Sequence, residues 1–229
     1  HILNMKKNRG HARCNAFGIR YINSNEICDY VILMDGDGED RPQEIRDLIN
    51  EISINPETSV VAKRIKRSEG PIFQLMYQIH KLITYLFTGK KVNFGNYSCL
   101  TKQDIKVLSD KASLWSSYSG SVKRNINKLN EINSTRGTRY FGPSKMSLFN
   151  LGIHSFSIIA VFKYQVFLRS SFLIIALSFL NNLFGIYTIL FQVLLVAFNL
   201  IIFIVSLREN EKALIESQEN LLNKIDIAH

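Results

Sequence analysis

The 229-residue chain has only three cysteines, Cys14, Cys28 and Cys99, and no CxxC pair among them. That count and spacing exclude a disulfide framework and a structural zinc site, and point to buried thiols in a reducing compartment. The N-terminal stretch lacks the unbroken apolar core of a signal peptide, because Lys6, Lys7 and Arg9 interrupt it. Acids are the minority, 19 against 28 lysines and arginines, giving a net charge of +9 and a pI near 9.5. Such an excess suggests an anionic partner (nucleic acid, anionic lipid or a phosphorylated substrate), unless the cations merely flank membrane segments. Zinc patterns, RNA-binding motifs and interleaved aromatic and basic residues are missing, so a nucleic-acid partner is not expected.

Charge is absent altogether from Phe172 to Leu207, a run of 36 residues dominated by Leu, Ile, Phe and Val. One straight helix of that length would extend about 54 Å at 1.5 Å per residue, against a hydrocarbon core of about 30 Å. Two shorter transmembrane helices fit better, with the turn at Asn181, Asn182 and Gly185. Lys163 and Arg169 precede the run and Arg208 and Lys212 follow it, so both ends are expected on the cytoplasmic side. The mixed stretch from Ser144 to Arg169 reads as amphipathic and interfacial, with its cations near lipid phosphates. Beyond Arg208 the tail is charged, and Leu214, Leu221, Leu222 and Ile225 suggest a short cytosolic helix.

Upstream the pattern is α/β. Tyr30 to Met34 is a continuous apolar run ending at Gly and Asp, as a buried parallel strand would be. Pro42 suits the first turn of a helix carrying Ile45, Leu48, Ile49 and Ile52. Ser59–Ala62 reads as a strand, Pro71 opens a longer apolar-faced helix, and Val92–Leu100 reads as strand and loop. This alternation predicts an open, mostly parallel, Rossmann-like sheet whose ligands sit beyond the carboxyl ends of the strands.

At one such end stand Asp35, Asp37, Glu39 and Asp40, four acids within six residues. In extended chain Asp35 and Asp37 would lie about 6.6 Å apart on one face. A bend at Gly36 and Gly38 could turn both toward one hard cation, and Mg2+ accepts few carboxylates together with substrate phosphates. A calcium loop counted from Asp35 fails, since its sixth and twelfth positions are Asp40 and Arg46. The haloacid-dehalogenase phosphatase pattern is matched at DxDG, but Glu39 follows the Gly and the downstream paired acids are missing, with Asp104 and Asp110 isolated. Asp40 is expected to cap the Pro42 helix.

Read together, the motifs resemble family-two inverting glycosyltransferases of the GT-A type, nearest the bacterial polyprenyl-phosphate sugar synthases (the dolichol-phosphate-mannose-synthase type). "NRGHARCNAFGIRY", with Asn8, Gly10, Arg13 and Gly18, is similar to the family's helix before the acidic strand, and "MDGDGEDRPQEI" to its DxD segment. "AKRIKRSEG", with Lys63, Arg64, Lys66 and Arg67, stands at its basic loop, and "FGNYSCL" at its acceptor-side loop. "RYFGPSKM" is similar to R-x-x-G-x-S-K through Arg139, Gly142, Ser144 and Lys145. Two departures are visible. The family's opening S-V-V-I-P-x-x-N-E strand has no counterpart, so the chain is expected to begin inside the domain. The acceptor loop has Asn93 and Asn96 where an acid is the rule, so a carboxylate general base there is not expected.

The resemblance implies a partial GT-A domain over residues 1–143, interfacial helices over 144–166, a transmembrane hairpin over 167–207 turning near 181–186, and a cytosolic tail over 208–229. It implies a hexosyltransferase acting at a bacterial inner membrane, catalytic domain and C-terminus in the cytoplasm, with a homo-oligomer left open. A sugar would pass with inversion from a nucleotide-diphosphate sugar to a lipid-phosphate acceptor, with Mg2+ or Mn2+ on Asp35, Asp37 and Glu39. Asp35, Asp37, Gly10 and Arg13 would bind the donor, and Arg64, Arg67, Arg139, Ser144 and Lys145 the acceptor phosphate, with Asp37 and Arg139 closest to catalysis. The alternative reading is a truncated, non-catalytic membrane protein that binds lipid or a partner.

Overall fold

Strands form where the sequence alternates between two apolar faces. Val60 and Ala62 point to one side of the sheet and Val61 to the other, and all three are buried. The computed structural model describes residues 1–66, 71–142 and 148–226. Its central sheet contains β2 (Tyr30–Leu33), β3 (Val60–Lys66), β4 (Phe94–Thr101) and β5 (Asn130–Thr135), in the order β2-β4-β3-β5. β4 is antiparallel to both β2 and β3, while β3 and β5 are parallel. Three strands therefore share one direction, but only one adjacent pair is parallel, which corrects the mostly parallel sheet expected from sequence. The inserted β4 is the "strand and loop" segment, whose direction no local pattern encodes.

Helices cover both faces. On one side, Ala16 and Ile19 of α1 (His11–Asn25) pack with Leu100 and Phe94 of β4. The same cluster takes Ile105 and Leu108 from α4 (Lys102–Ser109), Leu114 and Trp115 from α5 (Ala112–Ser116), and Tyr118 and Val122 from α6 (Tyr118–Asn125). On the other, Leu48 and Ile52 of α2 (Ile45–Ile54) meet Val60, Tyr97 and Cys99. Of the three cysteines only Cys99 is buried, and burial pushes its thiol up to about 11. Cys14 is exposed, contrary to the expectation of three buried thiols.

Pro42 opens a single 3-10 turn, Pro42–Glu44, ahead of α2, and no side chain caps it. Glu44 is buried and accepts hydrogen bonds from Ser134 Oγ (2.6 Å) and the Thr135 N–H (3.0 Å), fixing the end of β5 beside the turn.

The remaining helices form a second layer. α3 (Pro71–Thr88) packs against α7 (Leu148–Ala160), α8 (Lys163–Phe179) and, through Phe87 and Phe198, α10 (Ile186–Ser206). A short α9 (Asn181–Phe184) and Gly185, at φ +51°, turn the chain so that α10 folds back on α8. Gln192 donates to the Ile174 carbonyl (3.1 Å) and Ser178 Oγ (2.9 Å) across that pair. The helical run starting at Ile186 is the one among the described residues that is long and apolar enough to cross a membrane by itself. α8 passes the same test only together with α7, from which it is bent by 87°. Arg169 of α8 donates to the Leu86 carbonyl (2.9 Å) at the end of α3 and packs over Gly89.

The tail is not the helix its leucines suggest. It forms α11 (Glu211–Ile215), a 3-10 turn and β6 (Leu221–Ile225), and β6 pairs antiparallel with β1 (Ile2–Met5). Apolar residues at Leu221, Leu222 and Ile225 are too few to set a period, and the available edge of β1 decides.

Replacing Glu44 with Ala is expected to lower the thermal midpoint. It leaves the buried Ser134 hydroxyl and Thr135 N–H without their acceptor, at a cost of about 1–3 kcal/mol. That corresponds to about 2–4 °C per kcal/mol for a chain of this size. Thermal denaturation of the detergent-solubilised protein checks it, and an unchanged midpoint would remove Glu44 from the fold's support.

Candidate active site

The residues after β2 leave the sheet in a turn that its glycines allow. Gly38 sits at φ +91°, and a Cβ there would fall 2.8 Å from the Tyr140 ring. Opposite, a Cβ on Gly137 would fall 2.3 Å from the Gly38 carbonyl oxygen, so the two loops touch backbone to backbone. Two hydrogen bonds close the contact: Gly137 N–H to the Glu39 carbonyl and Tyr140 N–H to the Asp37 carbonyl, both 2.9 Å.

This docking brings two arginines onto the acidic turn. Arg139 donates through Nε to Glu39 Oε1 (2.8 Å) and through Nη2 to Asp37 Oδ2 (2.9 Å), while Arg136 donates to Glu39 Oε2. Burial pushes Glu39 up, but the hydrogen bonds and charges of Arg139 and Arg136 outweigh it and hold the carboxyl below its ordinary range. Arg136 was not among the residues singled out from sequence. Its signal is visible in retrospect as a second arginine three before Arg139, across a glycine.

Asp40 does not cap the helix. It is buried, accepting the Asp35 N–H (3.0 Å) and Arg64 Nη2 (3.1 Å), so that it closes the turn and ties it to β3. Burial pushes its carboxyl above the ordinary value, against the opposing pull of the Asp35 N–H and Arg64. Asn96 of β4 donates to Asp35 Oδ1 (3.1 Å), and Asp37 Oδ1 accepts the Glu39 N–H (3.0 Å).

Asp35, Asp37, Glu39, Arg64, Arg136 and Arg139 line one cavity of about 630 Å3. Its far wall belongs to the second layer, with Met76, Tyr77 and His80 from α3 and Leu151, His154 and Ser155 from α7. His11, at the start of α1, also reaches it. Gly10 and Arg13 do not join this site: they line a neighbouring cavity of about 340 Å3, where Arg13 lies over the Trp115 ring at 5.6 Å. Arg67, Ser144 and Lys145 lie outside the described residues.

For a hard divalent cation, the oxygen donors Asp35 and Asp37 have the right chemistry and share the cavity. Each has one oxygen fixed by a neutral donor, Asn96 or the Glu39 N–H, and the second oxygen of Asp37 is held only by Arg139. Both oxygens of Glu39 are paired with arginines, one with Arg139 and one with Arg136. Among the described residues no group of three His, Cys, Asp or Glu side chains is placed to hold a metal.

Residues 1–114 match the family described as glycosyl transferase family 2. The matched stretch runs from β1 into α5 and includes Asp35, Asp37, Glu39 and Arg64, while Arg136 and Arg139 lie beyond it. No curated protein matches the chain. The match supports a glycosyltransferase of family 2, with a nucleotide-sugar donor and an acceptor.

The Glu39 contacts predict a pH signature. A carboxyl held below its unfolded value stabilises the fold above that value, and the contribution is lost as pH falls through the folded one. Wild type should therefore melt above Glu39→Gln at pH 7, and the gap should close on acidification. A gap that is constant with pH would show that Glu39 contributes no charge-dependent stability.

Proposed function

We propose that the chain is a membrane-bound, inverting hexosyltransferase that moves a sugar from a nucleotide-diphosphate sugar to a lipid-linked phosphate, polyprenyl phosphate being the acceptor type. The observation that carries this reading is the shared cavity, which Asp35 and Asp37 line together with residues of the helices α3 and α7. α7 turns by 87° from α8, so if α8 and α10 cross the bilayer as a hairpin, α7 lies along its surface. α3 adds the exposed apolar residues Leu75, Ile79, Leu82 and Leu86, spaced along one helical face beside α7 and α8. An acceptor lipid would then enter the cavity from the membrane side, at the cytoplasmic face of an inner membrane.

Asp35 and Asp37 would hold Mg2+ or Mn2+, which when bound neutralises charge developing on the departing diphosphate. Arg139 is aimed by Glu39 through Nε, leaving Nη2 to exchange Asp37 for a phosphate oxygen. Arg136 shares the Glu39 carboxylate, so removing that carboxylate would take one contact from each guanidinium group. A phosphate acceptor is already ionised, consistent with Asn96 rather than an acid beside Asp35. Arg64 contributes positive potential to the same wall while its guanidinium remains on Asp40.

Asp37→Asn should lower metal-dependent sugar transfer to prenyl phosphate at least ~100-fold, at about 1.4 kcal/mol of transition-state stabilisation per factor of ten. Membranes carrying the protein, incubated with labelled nucleotide sugars and extracted for charged glycolipid, provide the measurement. Wild-type turnover in that variant would refute the role. Arg139→Ala should raise the acceptor concentration needed and leave nucleotide affinity largely intact; the reverse pattern would overturn the acceptor assignment.

A further inference from the structure

Within the cavity two histidines from distant parts of the chain meet. His11 at the start of α1 and His154 on α7 have ring centroids 5.5 Å apart, tilted by 56°. Among the described residues neither ring has a hydrogen-bond partner in the protein. Among the described residues, basic groups from several elements bear on His154: His80 from α3, Arg208 beyond α10 and Arg64 from β3. Arg208 also acts on Arg13, one turn or less along α1 from His11, and the first turn of α1 carries no acid. Among the described residues no carboxylate is among the groups whose charge bears on His154. Of the carboxylates that line the cavity, Asp35 accepts from Asn96, and Asp37 and Glu39 are paired with Arg139 and Arg136.

This arrangement is poor for a general base, because an imidazolium formed there would have cations and no carboxylate beside it. It suits an anion, which would satisfy unpaired ring nitrogens and relieve the mutual repulsion of the surrounding charges. We propose that His11 and His154 help to receive the phosphate monoester of the acceptor in this cavity, alongside Arg139. The proposal rests on the transferase reading above and adds two histidines to Arg64, Arg67, Arg139, Ser144 and Lys145, the residues to which the motifs had given that task.

In the free protein, burial followed by the charges of His11, His80, Arg208 and Arg64 pushes His154 down to about 4, so its ring is neutral at neutral pH. A bound phosphate reverses the sign of the local field and raises that value. Binding therefore draws a proton onto the pair, and affinity strengthens as pH falls toward the free value, by up to about tenfold per pH unit for one coupled proton. Because a phosphate monoester itself ionises near pH 6, the informative quantity is the difference between wild type and variant at the same pH.

The test is calorimetric titration of the full chain in detergent with a short-chain prenyl phosphate and, separately, with inorganic phosphate, at pH 6 and 8 in buffers of differing ionisation heat. Expected is uptake of up to one more proton by wild type than by His154→Gln, and a weaker gain in affinity on acidification in that variant. His11→Gln, at an exposed position, should show the same loss and guards against misfolding of the first variant. Inorganic phosphate binding as tightly as the prenyl ester, with the same dependence on the histidines, would support the site and identify a free anion as its ligand. Equal proton uptake and pH dependence in wild type and both variants would overturn the proposal. Sugar transfer assayed in parallel separates the two claims. Transfer whose pH dependence the variants leave unchanged sinks the histidine site alone, whereas histidine-dependent binding without any transfer sinks the transferase reading alone.

Discussion

The seating of the 136–140 loop on the acidic turn is the contact on which the rest of the site depends. Two backbone hydrogen bonds, the Gly38–Gly137 approach and two guanidinium groups on Glu39 hold it there. Each part requires the others. A side chain at Gly137 would separate the backbones, and the arginines would then lose the carboxylate that aims them. Glu39 is in this sense a structural acid inside a functional motif. Its two arginines bring positive charge onto a turn crowded with carboxylates.

Charge in the cavity is arranged by position rather than by total. Asp37 and Glu39 are paired with arginines, whereas the groups whose charge bears on His154 among the described residues are all basic. The basic excess of the whole chain, ambiguous as a number, acquires a location in this arrangement.

Much of this was legible in the linear sequence, and the reasons for the exceptions are physical. The strand at Tyr30–Leu33, the proline-initiated helices and the turn at Gly185 follow from local chemistry: apolar runs, fixed φ and glycine freedom. That Asp35 and Asp37 stand just past a strand end was legible, because an apolar run followed by Asp and Gly marks where a strand stops. Strand direction was not, since β4 is antiparallel through its neighbours and nothing in its own residues says so. The tail strand likewise depends on a partner some 220 residues away, as Ile2 faces Ile225. The pairing of Glu39 with Arg136 and Arg139 was not legible, because a motif records which acid is present and not which arginine will reach it. Gly10 and Arg13 were placed at the donor by resemblance, yet they face a separate cavity beside Trp115. The histidines were invisible for a related reason. His11 and His154 are 143 positions apart, and only the folded chain brings their rings together.

The bond from Arg169 to the Leu86 carbonyl has a mechanical consequence. α8 is fastened to the last turn of α3, and α3 supplies Met76, Tyr77 and His80 to the cavity wall. Should α8 and α10 sit in a bilayer, their tilt would follow its thickness, because helices lean to match the hydrocarbon span. Leaning α8 would pull α3 with it and widen or narrow the chamber. The lipid composition around the protein would then act as a dimension of the substrate pocket, set from outside the polypeptide.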